Sequence, residues 1–246
     1  MALAGVAPAG ESEGTLTKLS DLKYRQVGVL TGTMNGAAAE AAIDMVWVVN
    51  FPETESMMRA LREGGVSAVV SDTPSIEVMV AGDPTLVMIK ELLRDDDYAL
   101  AVRLDDAKLG DRVDAAIRGF REDGTLDKLK AKWGAGSVAE KKLGAAVAEG
   151  EMLRYGVAVT GAPFVFRGED DKLVGLDVEL GMLVAEKLGM RLEVEEMLFA
   201  DLIPSLCDEK VDMIGSAITV TPERRELVRF SEPYYRGGAA AMVLAK

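Results

Sequence analysis

The chain has 246 residues, with 28 Lys and Arg against 41 Asp and Glu, a formal charge of −13. That excess of acid argues against nonspecific capture of nucleic acid or anionic lipid, so no nucleic acid is expected as a partner. Histidine is absent and Cys207 is the single cysteine, which excludes Ser-His and Cys-His nucleophile pairs, histidine-bound zinc and an internal disulfide; no metal and no other cofactor is expected.

Hydrophobic residues make up 49% and charged residues 28%, the balance of a chain that folds around a core. The opening MALAGVAPAGESEG has neither a basic start nor a long apolar run, so residues 1–14 are expected to be a flexible tail without a signal peptide. No apolar run approaches the roughly 20 residues of a membrane helix. A strand is predicted at Val27 to Leu30, then a glycine turn and an alanine-rich helix, then strands at Met45 to Val49 and Ala68 to Val70 with a helix at Glu55 to Glu63 between them. A helix at Thr73 to Val80, strands at Leu86 to Ile89 and Tyr98 to Val102, and helices at Lys108 to Arg121 and Thr125 to Trp133 follow. Gly134 to Glu151 is rich in Gly, Ala and charge and reads as a linker. Beyond it come strands at Tyr155 to Val159, Arg191 to Val194, Asp212 to Ile214 and Ala240 to Leu244, and helices at Asp177 to Leu188 and Asp201 to Cys207. In the first of these helices Val178, Met182 and Ala185 recur at helical spacing, Asp177 is placed to cap the start and Gly189 to end it. Strands alternating with helices predict an α/β fold with largely parallel sheets.

The halves resemble each other. Ala60 to Ser71 lies over Ser205 to Ser216 at a constant offset, both reading as the end of a helix, a polar turn and a buried strand, and Val27-Gly28-Val29 and Tyr155-Gly156-Val157 each open a strand that leads to a Thr-Gly pair. Two similar lobes facing each other would set a ligand site beyond the carboxyl ends of their strands.

Three places where strands run out carry polar residues. After Leu30 the turn Thr31-Gly32-Thr33-Met34 leaves the amides of Thr33 and Met34 unpaired at a helix N-terminus, a setting that attracts an anion. Asp72 ends a strand before Thr73-Pro74 and is either a helix cap or a carboxylate aimed into a cleft; considered alone, capping is favoured. Thr221-Pro222 reads as an N-cap followed by proline at the first helical position, which fixes where Arg224 projects. A cation in a first turn opposes the helix dipole unless an anion offsets it, and a surface pair with Glu193 or Glu226 is the alternative.

With the words between them, these pieces resemble a known family. Gly156-Val-Ala-Val-Thr-Gly-Ala-Pro-Phe164, Gly175-Leu-Asp-Val-Glu-Leu180, Ala185-Glu-Lys-Leu-Gly189, Thr219-Val-Thr-Pro-Glu-Arg-Arg225 and Phe230-Ser-Glu-Pro-Tyr-Tyr235 are similar to the front lobe of the bacterial periplasmic amino-acid-binding proteins, the family 3 solute-binding proteins with a Venus-flytrap fold. Val27-Gly-Val-Leu-Thr-Gly-Thr33, Ala68-Val-Val-Ser-Asp72, Tyr98-Ala-Leu-Ala-Val102 and Asp123-Gly-Thr-Leu-Asp-Lys-Leu resemble what usually follows it. The order is reversed, so the resemblance implies a two-lobed periplasmic-binding-protein-like fold in circularly permuted order, or the middle of a tandem pair. It divides the chain into lobe 2 at 15–102, a hinge return with helices packing on lobe 1 at 103–133, a linker at 134–151 and lobe 1 at 152–246, with one interlobe crossing near Val102 to Leu104.

Carried over position by position, the resemblance implies a pocket for an α-amino acid. Arg224 matches the arginine that grips the α-carboxylate, with Thr219 and the amides of Thr33 and Met34 completing the cradle. Asp72 matches the acid that pairs with the α-ammonium, Phe199 an aromatic wall, and the backbone at Ser216 and Ala217 a further ammonium contact. Gly161 and Ala158 stand where relatives often carry an aromatic ring and an acid for cationic ligands, and Leu30 where some carry a lysine, so a neutral side chain is expected. The implied role is the binding component of an ABC-type amino-acid transporter, a monomer working with a membrane component, periplasmic or extracellular and not an enzyme. Cyclohexadienyl dehydratases, which share the fold, and receptor sensor modules are the alternatives.

Overall fold

The computed structural model describes residues 16–136, 143–144 and 149–245; the tail at 1–14 and most of the linker at 134–151 lie outside the described residues. In chain order the elements are β1 (Gln26–Leu30), α1 (Asn35–Ala42), β2 (Trp47–Phe51), α2 (Thr54–Arg62), β3 (Ala68–Asp72), α3 (Thr73–Gly82), β4 (Leu86–Tyr98), β5 (Ala101–Arg103), α4 (Ala107–Glu122) and α5 (Thr125–Trp133). They continue with β6 (Glu151–Val157), the short hairpin β7 (Phe166–Arg167) and β8 (Leu173–Val174), α6 (Leu176–Leu188), β9 (Met190–Glu196), α7 (Leu202–Cys207), β10 (Met213–Ile214), α8 (Pro222–Arg225), β11 (Val228–Phe230) and β12 (Tyr235–Leu244).

Two mixed sheets follow, ordered β2-β1-β3-β12-β4 in lobe 2 and β11-β5-β10-β6-β9 in lobe 1. The internal likeness of the sequence becomes geometry here. β1 lies between β2 and β3, and β6 between β9 and β10, every pairing among these being parallel. The two-residue alternation of β12 shows how each sheet is packed on both faces: Ala239, Ala241 and Val243 meet the α1 side with Val27 and Val29, whereas Ala240 and Met242 meet Met57, Leu61 and Ile76 from α2 and α3. In lobe 1, Trp133, Tyr155, Phe164 and Leu180 fill one face, and Ile214, Leu206, Phe199 and Val228 the other.

Three boundaries differ from those read in the sequence. β4 runs unbroken from Leu86 to Tyr98, pairing with β12 through two register shifts; Lys90, Glu91, Asp95 and Asp97 lie along the edge of the sheet with their charges in water, while Asp96 turns inward. β12 joins lobe 2, between β3 and β4, so residues 152–246 do not all build lobe 1. The described chain crosses between lobes twice, at Tyr98 to Ala101 and at Phe230 to Tyr235, rather than near Val102 to Leu104. These crossings lie side by side: the Ser231 amide donates to the Leu100 carbonyl at 2.8 Å, the Leu100 amide to Ser231 Oγ at 3.2 Å, and the Tyr234 amide to the Tyr98 carbonyl at 2.9 Å.

Candidate functional site

The site is built where β1, β3 and the loop after β10 run out toward each other. Arg224 takes its place from Thr221, whose Oγ1 accepts the Arg224 amide at 3.2 Å, with Pro222 opening the helical turn as read from the sequence. Arg224 is buried, 9% of the residue being exposed. Its Nη1 donates to the Thr219 carbonyl at 2.8 Å and its Nη2 crosses to lobe 2 to reach the Gly32 carbonyl at 2.9 Å. The guanidinium carbon stands 5.9 Å from the centre of the Phe199 ring. Neither Glu193, Glu226 nor any other described carboxylate forms a salt bridge with it, so the surface-pair alternative falls away. Burial and the cation of Arg94 pull its pKa down, opposed by Asp96 and Asp72.

Asp72 stands at the start of α3 but makes no capping hydrogen bond; its carboxylate lines an enclosed cavity with Thr33, Phe199, Ala217 and Thr219. Burial pushes its pKa up to about 7, the Tyr98 hydroxyl draws it down, Asp96 raises it further, and Arg94 and Asn35 work against that rise. Arg94 forks onto Asp96, Nε to Oδ1 at 2.6 Å and Nη2 to Oδ2 at 2.7 Å, while its Nη1 donates to the Met34 carbonyl at 3.1 Å. Tyr98, Asn35, Arg94 and Asp96 were not read as site residues in the sequence. The run Asp95-Asp96-Asp97 looks like a solvated charge cluster, and its placement near the end of an edge strand beside β12 turns one of the three inward, Asp96 being 6% exposed.

The glycine turn departs from expectation in part. The Thr33 amide donates to the Leu30 carbonyl at 3.3 Å and its hydroxyl to the same oxygen at 2.7 Å, because a tight turn closes on its own first carbonyl. Of the two amides read as unpaired, Met34 alone is left for an anion. Gly161 has φ of +106° and a Cβ there would meet open space; it lines neither cavity of the cleft, though its neighbour Thr160 does. Ser216 and Ala217 both have positive φ, 95° and 52°. Asp177 is not the cap of α6, a position held by Gly175; it is wholly buried and its Oδ2 accepts the amides of Ser216 and Ala217 at 2.6 Å each.

The cleft is shut. Besides the Arg224 to Gly32 bond, the Thr54 hydroxyl donates to the Thr160 carbonyl at 3.3 Å, and a Cβ added at Gly32 would lie 2.8 Å from Ala200 Cα of the other lobe. The inner cavity leaves about 10 Å³ open to a water-sized sphere, the room of one water molecule. A larger chamber of about 510 Å³ adjoins it, sharing Leu30, Thr54 and Phe199 and adding Ala158, Met197, Glu53, Glu55, Arg167 and Glu196. Arg224 lines neither cavity, but the Asp72 charge reaches it, and a carboxylate and a guanidinium held at one cleft suit a small zwitterion. Among the described residues no cluster of three or more His, Cys, Asp or Glu side chains could hold a metal, and no helix is long and apolar enough to cross a membrane.

Residues 153–246 match the family model of bacterial extracellular solute-binding proteins, family 3. The chain is 41% identical over 96 residues to the arginine-binding extracellular protein ArtP of Bacillus subtilis, covering 39% of this chain and 36% of that protein. It is 43% identical over 83 residues to a probable histidine-binding protein of Campylobacter jejuni, covering 34% and 32%. A third relative, the ABC transporter arginine-binding protein 1 of Escherichia coli, is 34% identical over 96 residues, covering 39% of each. The matches thus span about a third of these relatives' own length.

Proposed function

We propose, from a stretch at 153–246 that matches the bacterial extracellular solute-binding proteins of family 3, that the protein captures a free α-amino acid between its lobes. The observation that carries this is the buried Arg224 guanidinium, bonded to carbonyls on both lobes and to no described carboxylate. A buried cation without an anion is costly, and an α-carboxylate taken in bidentate fashion relieves it. Thr219, the Met34 amide and Thr33 complete that end. The α-ammonium goes to Asp72, and its arrival restores the carboxylate to its ionised form; Ser216 and Ala217 offer backbone to the same group, and Phe199 walls the side.

The ligand's side chain extends into the larger chamber, and we take it to be neutral. Of its lining residues Leu30, Ala158 and Phe199 carry no charge, and of its three acids Glu196 is paired with Arg167 at 2.7 Å and Glu55 with Arg59 at 2.9 Å, Glu53 alone having no ion pair among the described residues. A monomer outside the cytoplasmic membrane would hand the amino acid to the membrane component of an ABC-type transporter, in keeping with the named role of the Escherichia coli relative. A thermal-shift screen of the twenty amino acids tests this. A gain of several degrees with one or a few neutral amino acids is expected; a gain confined to arginine, lysine or histidine overturns the neutral side chain, and no gain with any overturns the capture of a free amino acid.

A further inference from the structure

Ser216 and Ala217 follow β10 in the left-handed region of backbone space, with φ of 95° and 52°, which residues with a Cβ avoid. Such a pair turns two successive amides to one side, forming a concavity that binds an anion. Here the anion is internal: Asp177 Oδ2 accepts both amides at 2.6 Å. Asp177 has 0% of its surface exposed and sits in the first turn of α6, where the helix N-terminus favours a negative charge. The same turn is held on its other side by Ser216 Oγ, which accepts the Ala158 amide at 2.8 Å, and the Ala217 amide also reaches the Tyr234 hydroxyl at 3.2 Å. Ala217 lines the inner cavity and Ala158 the outer chamber.

We propose that Asp177 is a positioning residue for the cleft: its carboxylate, with no surface of its own exposed, holds Ser216 and Ala217 in the strained turn that presents their backbone to a bound amino acid. This rests on the capture of an amino acid proposed above. It separates Asp177 from a helix cap, which it is not, and from a packing residue, because the strain it offsets lies in another segment, 39 and 40 positions along the chain.

Two measurements on the full chain test it. The first is amide hydrogen exchange at Ser216 and Ala217 by NMR on unliganded protein. The second is calorimetric affinity for whichever of the twenty amino acids stabilises the wild type most. Asp177→Ala is expected to speed exchange at those two amides at least a hundredfold while the amides of β1 and β6 keep their rates, and to weaken affinity at least tenfold. Asp177→Asn, whose side-chain carbonyl can accept the same two bonds, retains most of both. Adding Ala217→Gly to Asp177→Ala restores affinity at least in part, because glycine takes positive φ freely; a packing defect would gain nothing from it. If Asp177→Ala does not fold, folding of the double variant supports the assignment and failure of both overturns it. Unchanged exchange at Ser216 and Ala217, or equal affinity loss with and without Ala217→Gly, also overturns it. Absence of binding by the wild type overturns the capture reading instead, and the exchange rates alone then decide whether Asp177 holds the turn.

Discussion

Arg224 and Asp72 are far apart in sequence, yet the charge of Asp72 in one lobe reaches Arg224 in the other. Replacing Arg224 with Ala or Lys, or Asp72 with Ala, is expected to weaken amino-acid binding at least a hundredfold, about 3 kcal/mol, as for one half of a desolvated charge pair. Near-native far-ultraviolet circular dichroism should accompany each loss, and calorimetry showing unchanged affinity in any of the three would refute the assignment. Acidity offers a second test. Burial pushes Asp72 up to about 7 and Asp177 up to about 6, each from the ordinary aspartate value of 3.8. A carboxyl held above its unfolded value favours the folded state in its protonated form. That contribution is complete below about pH 4 and is lost as pH rises through about 6 and 7. The melting temperature of unliganded protein should therefore fall between pH 4 and pH 8, less steeply in Asp72→Asn. An ammonium opposite Asp72 expels its proton, so affinity should climb from pH 5 to pH 8, and calorimetry in two buffers of different ionisation heat should register protons released on binding. Much of this site is legible from sequence, because Thr221-Pro222 fixes a short helix and Asp72 ends an apolar strand. Arg94, Asp96, Asn35 and Asp177 are not, since a buried carboxylate in a first helical turn has the same local sequence as a cap, and only the folded neighbours distinguish them.

Trp133 closes α5 and anchors it to α6. Its ring is fully buried, meets Phe166 edge-on with centroids 5.8 Å apart, and its Nε1 donates to Glu179 Oε2 at 2.6 Å. Truncation to Ala removes a large buried surface and leaves a cavity, so Trp133→Ala should cost about 3–5 kcal/mol in urea unfolding. Trp133→Phe, which loses chiefly the hydrogen bond, should cost about 1–2 kcal/mol. Equal losses in the two would show that the ring's size does not matter there. Helices α2 and α4 follow the apolar periodicity of one buried face, whereas β1, β3 and β6 are legible as short apolar runs because both of their faces are covered. Periodicity is silent where pairing alone makes the strand: β11 has three residues and is defined by its partner β5, and the charged length of β4 is held by β12.

Both interlobe crossings pass through Tyr98 to Leu100 and Ser231 to Tyr234, hydrogen-bonded to each other, so bending there moves one lobe against the other with few other contacts to break. Gly32 stands at one of the contacts between the lobes. Its φ is +83° and any Cβ would press on Ala200. Gly32→Ala should hold the lobes apart, raising the radius of gyration in small-angle scattering and lowering affinity at least tenfold, about 1.4 kcal/mol. A variant with wild-type compaction and wild-type affinity would mean that the Gly32 to Ala200 contact does not limit closure.

The small volume of the inner cavity in the shut cleft has a kinetic corollary. No amino acid can be admitted to a space that holds one water, so uptake must wait for the lobes to part. Stopped-flow traces under excess amino acid should then level off at the intrinsic rate of parting instead of rising in proportion to concentration, and the overall dissociation constant should exceed that of the parted form by the inverse of its population.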